Sequence, residues 1–260
     1  MKLPPYPHYQ PSSVAWLGGV PNHWEVRRLK TAARYWVSPV DKVAADGEVP
    51  VRLCNYTDVY YNERIRADME LMETTATSSE VERFRLLPKD VLITKDSEDW
   101  RDIAIPALVE ESAEGLVCGY HLAIVRADES QLDGEYLFRS FQSAAINQQF
   151  RLASSGVTRY GLPKGAIGDA WIPLPPLAEQ RAIAAFLAAE TARLDALVEK
   201  VEAAVERLQE YRSALITAAV TGKIDVRASA SWVSTTASQA MPAELTDVNL
   251  ATVAQVRGGR

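Results

Sequence analysis

The sequence is poor in the residues that make disulfides and metal sites. Its two cysteines, Cys54 and Cys118, lie far apart, and neither belongs to a Cys-x-x-Cys pair or has a histidine at ligand spacing. We therefore expect neither a disulfide nor a bound metal. The chain also has no run of roughly eighteen apolar residues, and its first residues lack the apolar stretch of a signal peptide. These absences predict a cytoplasmic protein that does not associate with a membrane.

Sequence motifs of catalysis are missing too. There is no Gly-x-Gly-x-x-Gly loop, no Walker-type phosphate loop and no aromatic-Asn-Pro-Pro motif of the kind that amino-methyltransferases use. The histidines, His8, His23 and His121, stand without an acid or a nucleophile at a set spacing. The segment Asp90–Lys95 is similar to a nuclease metal site, but Ile93 occupies the position where such a site needs a second acid. We predict that the chain has no catalytic residue and binds no cofactor of its own.

Acidic residues are absent from one internal stretch, although the whole chain carries a net charge of -6. Between Tyr136 and Gly168 there is no Asp or Glu, and the basic residues there are Arg139, Arg151, Arg159 and Lys164. Within this stretch, Leu152–Gly161 combines small residues, hydroxyls, glycines, an arginine and a tyrosine. That mixture lets a loop approach phosphates and present donors to base edges. Two interpretations stay open here: a loop that contacts DNA, or a surface from which acids happen to be absent.

Residues 1–171 have the pattern of a domain that mixes helices and strands. Short apolar runs bounded by turn residues predict strands at Val49–Leu53, Val91–Thr94, Ile103–Val109 and Leu122–Arg126. Helical spacing predicts one amphipathic helix over Gly134–Phe150, with a packed face formed by Leu137, Phe141, Ala144 or Ala145, and Gln148. The predicted class is α+β, and the pattern leaves the strand order open.

A seven-residue repeat dominates residues 177–221. Its first position is occupied by Leu187, Leu194, Val201, Leu208 and Leu215, and its second by Leu197, Ala204, Tyr211 and Ala218. This pattern predicts a long helix with a coiled-coil seam that is weakest at Glu190. Pro176 suits the first turn and Gly222 the C-terminal end. Since the chain offers no second helix of matching length, we expect another chain to cover the seam; the alternative is that the helix packs on its own domain.

The proline run before this helix and the segment after it complete the predicted organisation. Pro173, Pro175 and Pro176 restrict the backbone and predict a rigid elbow. We therefore divide the chain into a globular domain at 1–171, an elbow and spacer helix at 172–227, and a tail at 228–260. The tail is rich in Ser, Thr and Ala, which predicts a flexible segment.

Three stretches together resemble the specificity subunits of type I restriction-modification systems. Trp16–Lys30 is similar to the way a target-recognition domain begins in that family. Ser154–Lys164, followed by Ile172-Pro-Leu-Pro-Pro-Leu-Ala-Glu-Gln180, is similar to the passage from that domain into the family's long helix. Tyr211–Lys223 is similar to the end of that helix. The stretches occur in the family's order and frame most of the chain.

The resemblance implies a subunit that recognises double-stranded DNA for an assembly with methyltransferase and restriction subunits. Those partners would methylate adenine with S-adenosylmethionine and cleave DNA with ATP and magnesium, so this chain would carry neither reaction. The family's usual member has two recognition domains and two antiparallel helices, whereas this sequence has one of each. It looks like a half-subunit that pairs with a second copy or with a different half-subunit. A truncated, inactive remnant is the alternative.

Two segments are the predicted DNA contacts. The loop after the acid-free helix would supply Arg151, Ser154, Ser155, Thr158, Arg159, Tyr160 and Lys164, and the loop Thr94–Arg101 would supply Lys95, Ser97 and Arg101. The predicted helix interface consists of Leu187, Leu194, Leu197, Val201, Leu208 and Leu215. A competing function is a coiled-coil adaptor whose globular domain binds protein. The net negative charge favours that adaptor, and the acid-free loop opposes it.

Overall fold

The computed structural model describes residues 3–12 and 14–227. Its strands are β1 Tyr9–Pro11, β2 Gly19–Pro21, β3 Glu25–Arg28, β4 Ala33–Val37, β5 Val49–Cys54, β6 Arg64–Ile65, β7 Met72–Ala76, β8 Val91–Thr94, β9 Asp96–Ser97, β10 Pro106–Val109, β11 Leu116–Cys118, β12 Leu122–Ala127, β13 Tyr160–Gly161 and β14 Trp171–Leu174. Its helices are α1 Tyr56–Tyr61, α2 Ser78–Phe84, α3 Gly134–Gln142, α4 Ala144–Ala153, α5 Lys164–Asp169 and α6 Leu177–Val220, with 3-10 turns at Leu29–Thr31 and Trp100–Asp102. The described residues divide into two compact units, with the boundary between residues 188 and 189. This mixture of sheet and helix with a long C-terminal helix confirms the α+β class.

Two sheets organise the first unit. The larger has five strands in the order β4-β12-β8-β10-β6, and all its pairings are antiparallel except that of β10 with β6. The smaller has the order β11-β5-β7, in which β5 runs parallel to β11 and antiparallel to β7. Strand β14 pairs separately with β3, which joins the beginning of the domain to the segment that precedes α6.

The five-stranded sheet is buried on both faces. Along β12, Ala123 and Val125 belong to one hydrophobic core, while Leu122 and Ile124 belong to another. The first core is completed by residues of α3, α4, α5 and β14, and the second by residues of the three-stranded sheet and by Phe84 of α2. A strand that is covered on both sides has a continuous apolar run instead of an alternating one. This is why β8 and β12 are visible in the sequence.

The predicted strands at Val49–Leu53, Val91–Thr94 and Leu122–Arg126 are confirmed as β5, β8 and β12. The prediction for Ile103–Val109 is wrong at its start, because β10 begins at Pro106. Ala104 has a φ of 60°, and its N–H donates to the carbonyl of Thr94 at 2.8 Å. Residues in this left-handed conformation turn the chain, so the apolar run enters the core here as part of a loop.

The single helix predicted over Gly134–Phe150 is wrong, since the structure has α3 and α4 with a break at Ser143. Ser143 has φ -65° and ψ 122°, which is an extended backbone that no α-helix continues through. The break lets the rings of Phe141 and Phe150 meet edge to face, with centroids 5.1 Å apart. As a result Ala144, Ala145 and Gln148 are exposed, although the single-helix pattern placed them on the packed face.

Helix α6 confirms the predicted long helix. Its 44 residues correspond to a length of about 66 Å at the usual rise per residue. At its C-terminal end Gly222 has a φ of 72°, and the N–H of Lys223 donates to the carbonyl of Ala218 at 2.8 Å. At its N-terminal end the helix begins at Leu177, as predicted, and the carbonyl of the preceding Pro176 accepts from the N–H of Gln180 at 3.0 Å.

The described part of the second unit consists mainly of α6 and exposes apolar side chains along it. Leu208 is 66% exposed, and the other predicted interface residues of this unit, Leu194, Leu197, Val201 and Leu215, are exposed as well. Leu187 belongs to the first unit and is partly buried. None of the helices in the described part of the chain is long and apolar enough to cross a membrane. The tail predicted at 228–260 lies outside the described residues.

Candidate nucleic-acid interface

The two segments predicted to contact DNA lie side by side in the structure. Strand β13 pairs antiparallel with β9, so that Tyr160 is opposite Ser97 and Gly161 is opposite Asp96. The N–H of Leu162 also donates to the carbonyl of Lys95 at 2.8 Å. Residues 94–101 and 154–164 therefore form one surface, although neither two-residue strand has a pattern that the sequence alone reveals.

Thr94 closes the base of the first loop. Its hydroxyl donates to the carbonyl of Asp102 at 2.5 Å and accepts from the N–H of Ile105 at 2.9 Å. Within the loop, Asp99 caps the 3-10 turn by accepting from the N–H of Arg101 at 2.9 Å. The bonds to Asp102 and Ile105 satisfy the hydroxyl of Thr94, whose side chain is fully buried. The loop is consequently held at its base while its middle residues face solvent.

Gly156 gives the second loop its tight return. Ser155 and Gly161 exchange backbone hydrogen bonds of 3.1 and 2.9 Å, which closes the loop between them. Gly156 has a φ of 153°, and a Cβ at this position would lie only 1.9 Å from the carbonyl oxygen of Arg159. Only glycine fits this backbone. The closed loop presents Val157, which is 92% exposed, together with the exposed side chains of Thr158 and Arg159.

A chain of charged side chains connects the two loops through His121. Lys95 Nζ lies 2.5 Å from Asp96 Oδ2, and the same oxygen lies 3.2 Å from Nδ1 of His121. On the other side, Nη2 of Arg159 lies 3.1 Å from both ring nitrogens of His121. A guanidinium can only donate hydrogen bonds, so the ring nitrogen that receives this one must carry a lone pair. His121 is therefore the side chain through which Asp96 of the first loop and Arg159 of the second loop are connected.

Asp96, His121 and Arg159 line an open groove of about 610 Å³. One wall comes from α1, where the hydroxyl of Tyr56 donates to Oγ of Ser97 at 3.3 Å. The hydroxyl of Tyr60 lies 3.5 Å from Oδ1 of Asp102 and fixes the same wall to the first loop. The groove is lined by Lys42, Tyr56, Thr57, Asp96, Ser97, Glu98, Asp99, Asp102, His121 and Arg159.

The carboxylates beside the groove differ in how firmly they are ionised. Hydrogen bonds from the guanidinium and the backbone N–H of Arg101 hold the pKa of Asp99 below its usual value. Burial and the negative charge of Asp99 raise the pKa of Asp102. Burial likewise raises the pKa of Tyr56 and of Tyr60, so both hydroxyls stay protonated and can donate. The groove thus offers both acceptors and donors.

The predicted cationic contacts are not equally available. The side chain of Lys95 is only 14% exposed, is paired with Asp96, and lies over the ring of Tyr120. The Arg101 guanidinium is held by Asp99, with its closest contact at 2.6 Å. Arg159 and Lys164 are exposed at the groove and at the start of α5. The structure therefore leaves the second loop with the freer positive charge.

The remaining predicted contacts contribute mainly to the loop's own geometry. Ser154 donates from its hydroxyl to the carbonyl of Arg151 at 2.7 Å, and Ser155 closes the loop through its backbone. Tyr160 is partly buried and packs against the first core. The buried Nε of Arg151 has no hydrogen-bond partner in the part of the chain that the structure describes. Ser97 is buried, and its hydroxyl accepts from the N–H of Asp99 at 3.2 Å.

Asp96 and Asp90, at the two ends of the segment that contains β8, have different roles in the structure. Asp96, which lies 25 residues from His121 along the chain, provides the acid that no spacing rule connects to this histidine. Asp90 is buried and bound by Nε and Nη2 of Arg126 at 2.6 and 2.7 Å, so its carboxylate is neutralised by an arginine. Within residues 3–12 and 14–227, no group of three or more His, Cys, Asp or Glu side chains is placed to hold a metal ion.

The first turn of α6 is attached to the rest of its unit by Gln180. This side chain is fully buried, accepts from the N–H of Asp133 at 2.8 Å, and donates to the carbonyls of Gln131 and Pro175 at 2.9 and 2.8 Å. Asp133 in turn caps α3. One side chain therefore joins the proline run, the start of α3 and the start of α6.

The neighbouring Glu179 attaches the N-terminal segment. Its carboxylate accepts from the hydroxyl of Tyr6 at 2.5 Å and from Nε1 of Trp24 at 3.1 Å, and lies 2.8 Å from Nε2 of His23. Partial burial favours a raised pKa for Glu179, but the hydrogen bonds from Tyr6, His23 and Trp24 outweigh it and lower this pKa. The ionised form is the one that these donors stabilise.

Known proteins are similar to this chain in sequence and in fold. No protein-family model matches the chain. The type I restriction enzyme EcoBI specificity subunit of Escherichia coli is 28% identical over 166 residues, which cover 62% of this chain and 32% of that protein. The putative type I restriction enzyme MjaX specificity subunit of Methanocaldococcus jannaschii is 22% identical over 217 residues, which cover 77% of this chain and 46% of that protein. The relatives of this chain are type I specificity subunits.

A solved structure agrees with these relatives at the level of fold. A chain from a structural study of complex assembly and conformational transition in the type I R-M system superposes with a TM-score of 0.59 at 19% identity, covering 77% of this chain and 46% of that one. The resemblance to type I specificity subunits seen in the sequence is thereby confirmed. The chain spans 32% and 46% of the length of the two type I specificity subunits that it matches.

Proposed function

We propose that this chain is the DNA sequence-specificity subunit of a type I restriction-modification assembly. The observation that supports this most is the pairing of β9 with β13, which joins the two predicted contact segments in a chain whose relatives are type I specificity subunits. Loops presented by a rigid sheet are a common means of recognition. The chain supplies binding and needs no cofactor. Partner subunits methylate adenine with S-adenosylmethionine and cleave DNA with ATP and magnesium.

We also propose that the chain works as a half-subunit. It contains one globular unit with one long helix, and the apolar side chains of that helix are exposed from Leu194 to Leu215. Pairing this helix with the helix of a second copy would bury both stripes and bring two recognition domains together. Two-fold symmetry of the protein would then be matched by a palindromic target split by an unread gap.

Methylation mapping tests the function directly. The chain would be co-expressed with its methyltransferase subunit, and methylated adenines would be mapped across the host genome. We expect a split motif that disappears when this chain is omitted. A palindromic motif supports the homodimer, and a motif with two unrelated halves indicates a different half-subunit as partner. If methylation is absent or is unaffected by omitting the chain, the proposal is wrong. A protein-binding adaptor would give that negative result.

The helix interface makes a separate prediction. Replacing Leu194 and Leu208 with Asp places charges in the seam, and an uncompensated buried charge costs several kcal/mol, about 3–5 for a broken buried pair. We expect light scattering to show a dimer for the wild-type chain and a monomer for this variant. Ser213→Asp is the matched control, because Ser213 lies on the opposite face of the heptad and should leave the dimer intact. A dimeric Leu194→Asp, Leu208→Asp variant would contradict a helix-mediated interface.

A further inference from the structure

We infer that Arg159 contacts a base edge of the DNA and that His121 and Asp96 position its guanidinium for this contact. The inference rests on the proposed DNA-binding function and assigns a role to two residues outside the predicted contact set. It follows from the charges around the groove, from the contact of Arg159 with the ring of His121, and from the contact of that ring with Asp96.

The charges around Arg159 favour a base edge over a phosphate. The groove that Arg159 lines also contains Glu98, Asp99 and Asp102. A phosphate entering this groove would meet carboxylates, of which Asp99 is kept ionised by Arg101. A base pair instead presents acceptors, such as guanine O6 and N7, beside amino groups that carboxylates can accept from. A groove that combines Arg159 and the exposed Lys42 with several acids offers both donors and acceptors, which matches the edge of a base pair better than a phosphate.

The contact with His121 restrains Arg159 before DNA is present. The loop that carries Arg159 is closed at its base by Ser155 and Gly161, but the arginine side chain itself is exposed. Only Nη2 of Arg159 has a partner among the described residues, the ring of His121 at 3.1 Å. The other N–H groups of the guanidinium remain for a two-point contact with guanine. Restraint before binding reduces the side-chain entropy that the contact would otherwise cost.

Asp96 gives the ring of His121 a second partner besides Arg159. Its Oδ2 lies 3.2 Å from Nδ1, and an N–H at Nδ1 would donate to this oxygen and leave Nε2 as the acceptor for Arg159. Lys95 lies 2.5 Å from the same oxygen and balances the charge of Asp96. Without Asp96 the tautomer that accepts from Arg159 would lose its support. His121 and Asp96 are therefore positioning residues, and Arg159 makes the contact.

A binding experiment with single and double variants tests the assignment. The probes are a duplex that carries the motif found by methylation mapping and a set of duplexes that each differ from it at one base pair. Binding of each probe to the assembled complex is measured at several salt concentrations. We expect Arg159→Ala to weaken binding to the motif about tenfold to a hundredfold and to relax preference at one base pair, with the salt slope unchanged. Lys164→Ala is the control, because an exposed phosphate contact lowers binding to all sequences and reduces the slope by about one.

The positioning role is isolated by a double-mutant cycle. His121→Ala should weaken binding to the motif about threefold to tenfold when Arg159 is present. In a protein that already carries Arg159→Ala, it should weaken binding less than about twofold. His121→Gln should restore much of the affinity, since an amide can both donate to Asp96 and accept from Arg159, whereas His121→Lys should not. Thermal unfolding of each variant confirms that it is folded.

Three results would overturn the inference. A lower salt slope with unchanged base preference in Arg159→Ala would make Arg159 a phosphate contact. Full additivity of His121→Ala and Arg159→Ala would remove His121 from the positioning role. A motif that is methylated and bound normally by Arg159→Ala would refute this inference and leave the proposed function standing, whereas the absence of any motif would refute both.

Discussion

The first turn of α6 and the groove beside β9 and β13 both depend on side chains that bond residues far away in the sequence. At α6, Gln180 is fully buried and uses its carbonyl oxygen and its amide group on backbone partners. In the groove, Arg159 is exposed, and among the described residues only its Nη2 has a partner. A buried amide whose bonds are complete stabilises the fold, because any loss leaves backbone groups without partners. An exposed guanidinium whose bonds are incomplete contributes little to stability and retains donors for a ligand.

The largest effect on stability is expected from Gln180→Ala. This change leaves the N–H of Asp133 and the carbonyls of Gln131 and Pro175 buried without their partner, which should lower the free energy of unfolding by about 2–4 kcal/mol. Urea denaturation measures the change. Gln209→Ala, at an exposed glutamine further along α6, is the matched control and should change it by less than about 0.5 kcal/mol. If both substitutions lowered the free energy of unfolding equally, the buried hydrogen bonds of Gln180 would not stabilise the fold more than an exposed glutamine does.

Gly156→Ala should affect the groove more than the fold. A methyl group at this φ cannot be accommodated beside the carbonyl of Arg159, so the loop must open. We expect a loss of about 1–2 kcal/mol in the free energy of unfolding and a loss of at least about tenfold in DNA affinity, because Arg159 is displaced. Gly165→Ala provides the control, since a Cβ there meets nothing within 4 Å. Normal DNA affinity in Gly156→Ala would show that this loop does not contact the target.

The smallest expected effect depends on pH and involves Tyr6. The hydrogen bond to Glu179, with partial burial, raises the pKa of Tyr6 from 10.0 to about 12. Since the folded pKa is raised, this bond contributes fully below pH 10 and its contribution is lost as the pH rises toward 12. Tyr6→Phe should therefore lower the free energy of unfolding at pH 8, by at most about 1 kcal/mol because the site is partly exposed.

The difference between wild type and Tyr6→Phe should shrink at pH 11, and urea denaturation at the two pH values measures it. Tyr61→Phe is a suitable control, because the side chain of Tyr61 is 63% exposed. An equally large effect of Tyr6→Phe at pH 8 and pH 11 would show that the hydrogen bond to Glu179 does not determine the stability of this contact.

Regular elements were predictable to the extent that their residues repeat locally. The heptads of α6 run from Leu187 to Ala218 within a helix of 44 residues. The buried strands β8 and β12 are short apolar runs, so each pattern lies within the element itself. The break at Ser143 was not predictable, because serine is tolerated in helices and the contact between Phe141 and Phe150 that accompanies the break joins residues of two different helices. Tertiary packing decided that position.

The candidate groove was predictable only in part. Composition indicated the loop that carries Arg159 and the loop that carries Lys95, but nothing in either indicates that they pair. His121 appeared isolated because its partners, Asp96 and Arg159, lie 25 and 38 residues away. Such contacts follow from strand order, which the apolar pattern leaves open.

The join between β14 and α6 shows a similar division between local and distant causes. The prolines of the sequence predicted a rigid elbow between β14 and α6. Pro173 does lie in β14, opposite Val26 of β3. Its carbonyl also accepts from the hydroxyl of Tyr136 at 3.0 Å. Together with the bonds of Gln180, this contact from α3 restrains the join through residues that no proline pattern reveals.

The closure of the first loop by Thr94 has a consequence for how new DNA targets can arise. Because Thr94 bonds both Asp102 and Ile105, the two ends of the loop are held together at its base by contacts separate from the pairing of β9 with β13. Doubling the length of such a loop costs only about 0.6 kcal/mol in closure entropy. Insertions near Glu98 can therefore be inherited without loss of the sheet. We expect this loop to tolerate changes in sequence and length that alter DNA specificity while the sheet is retained.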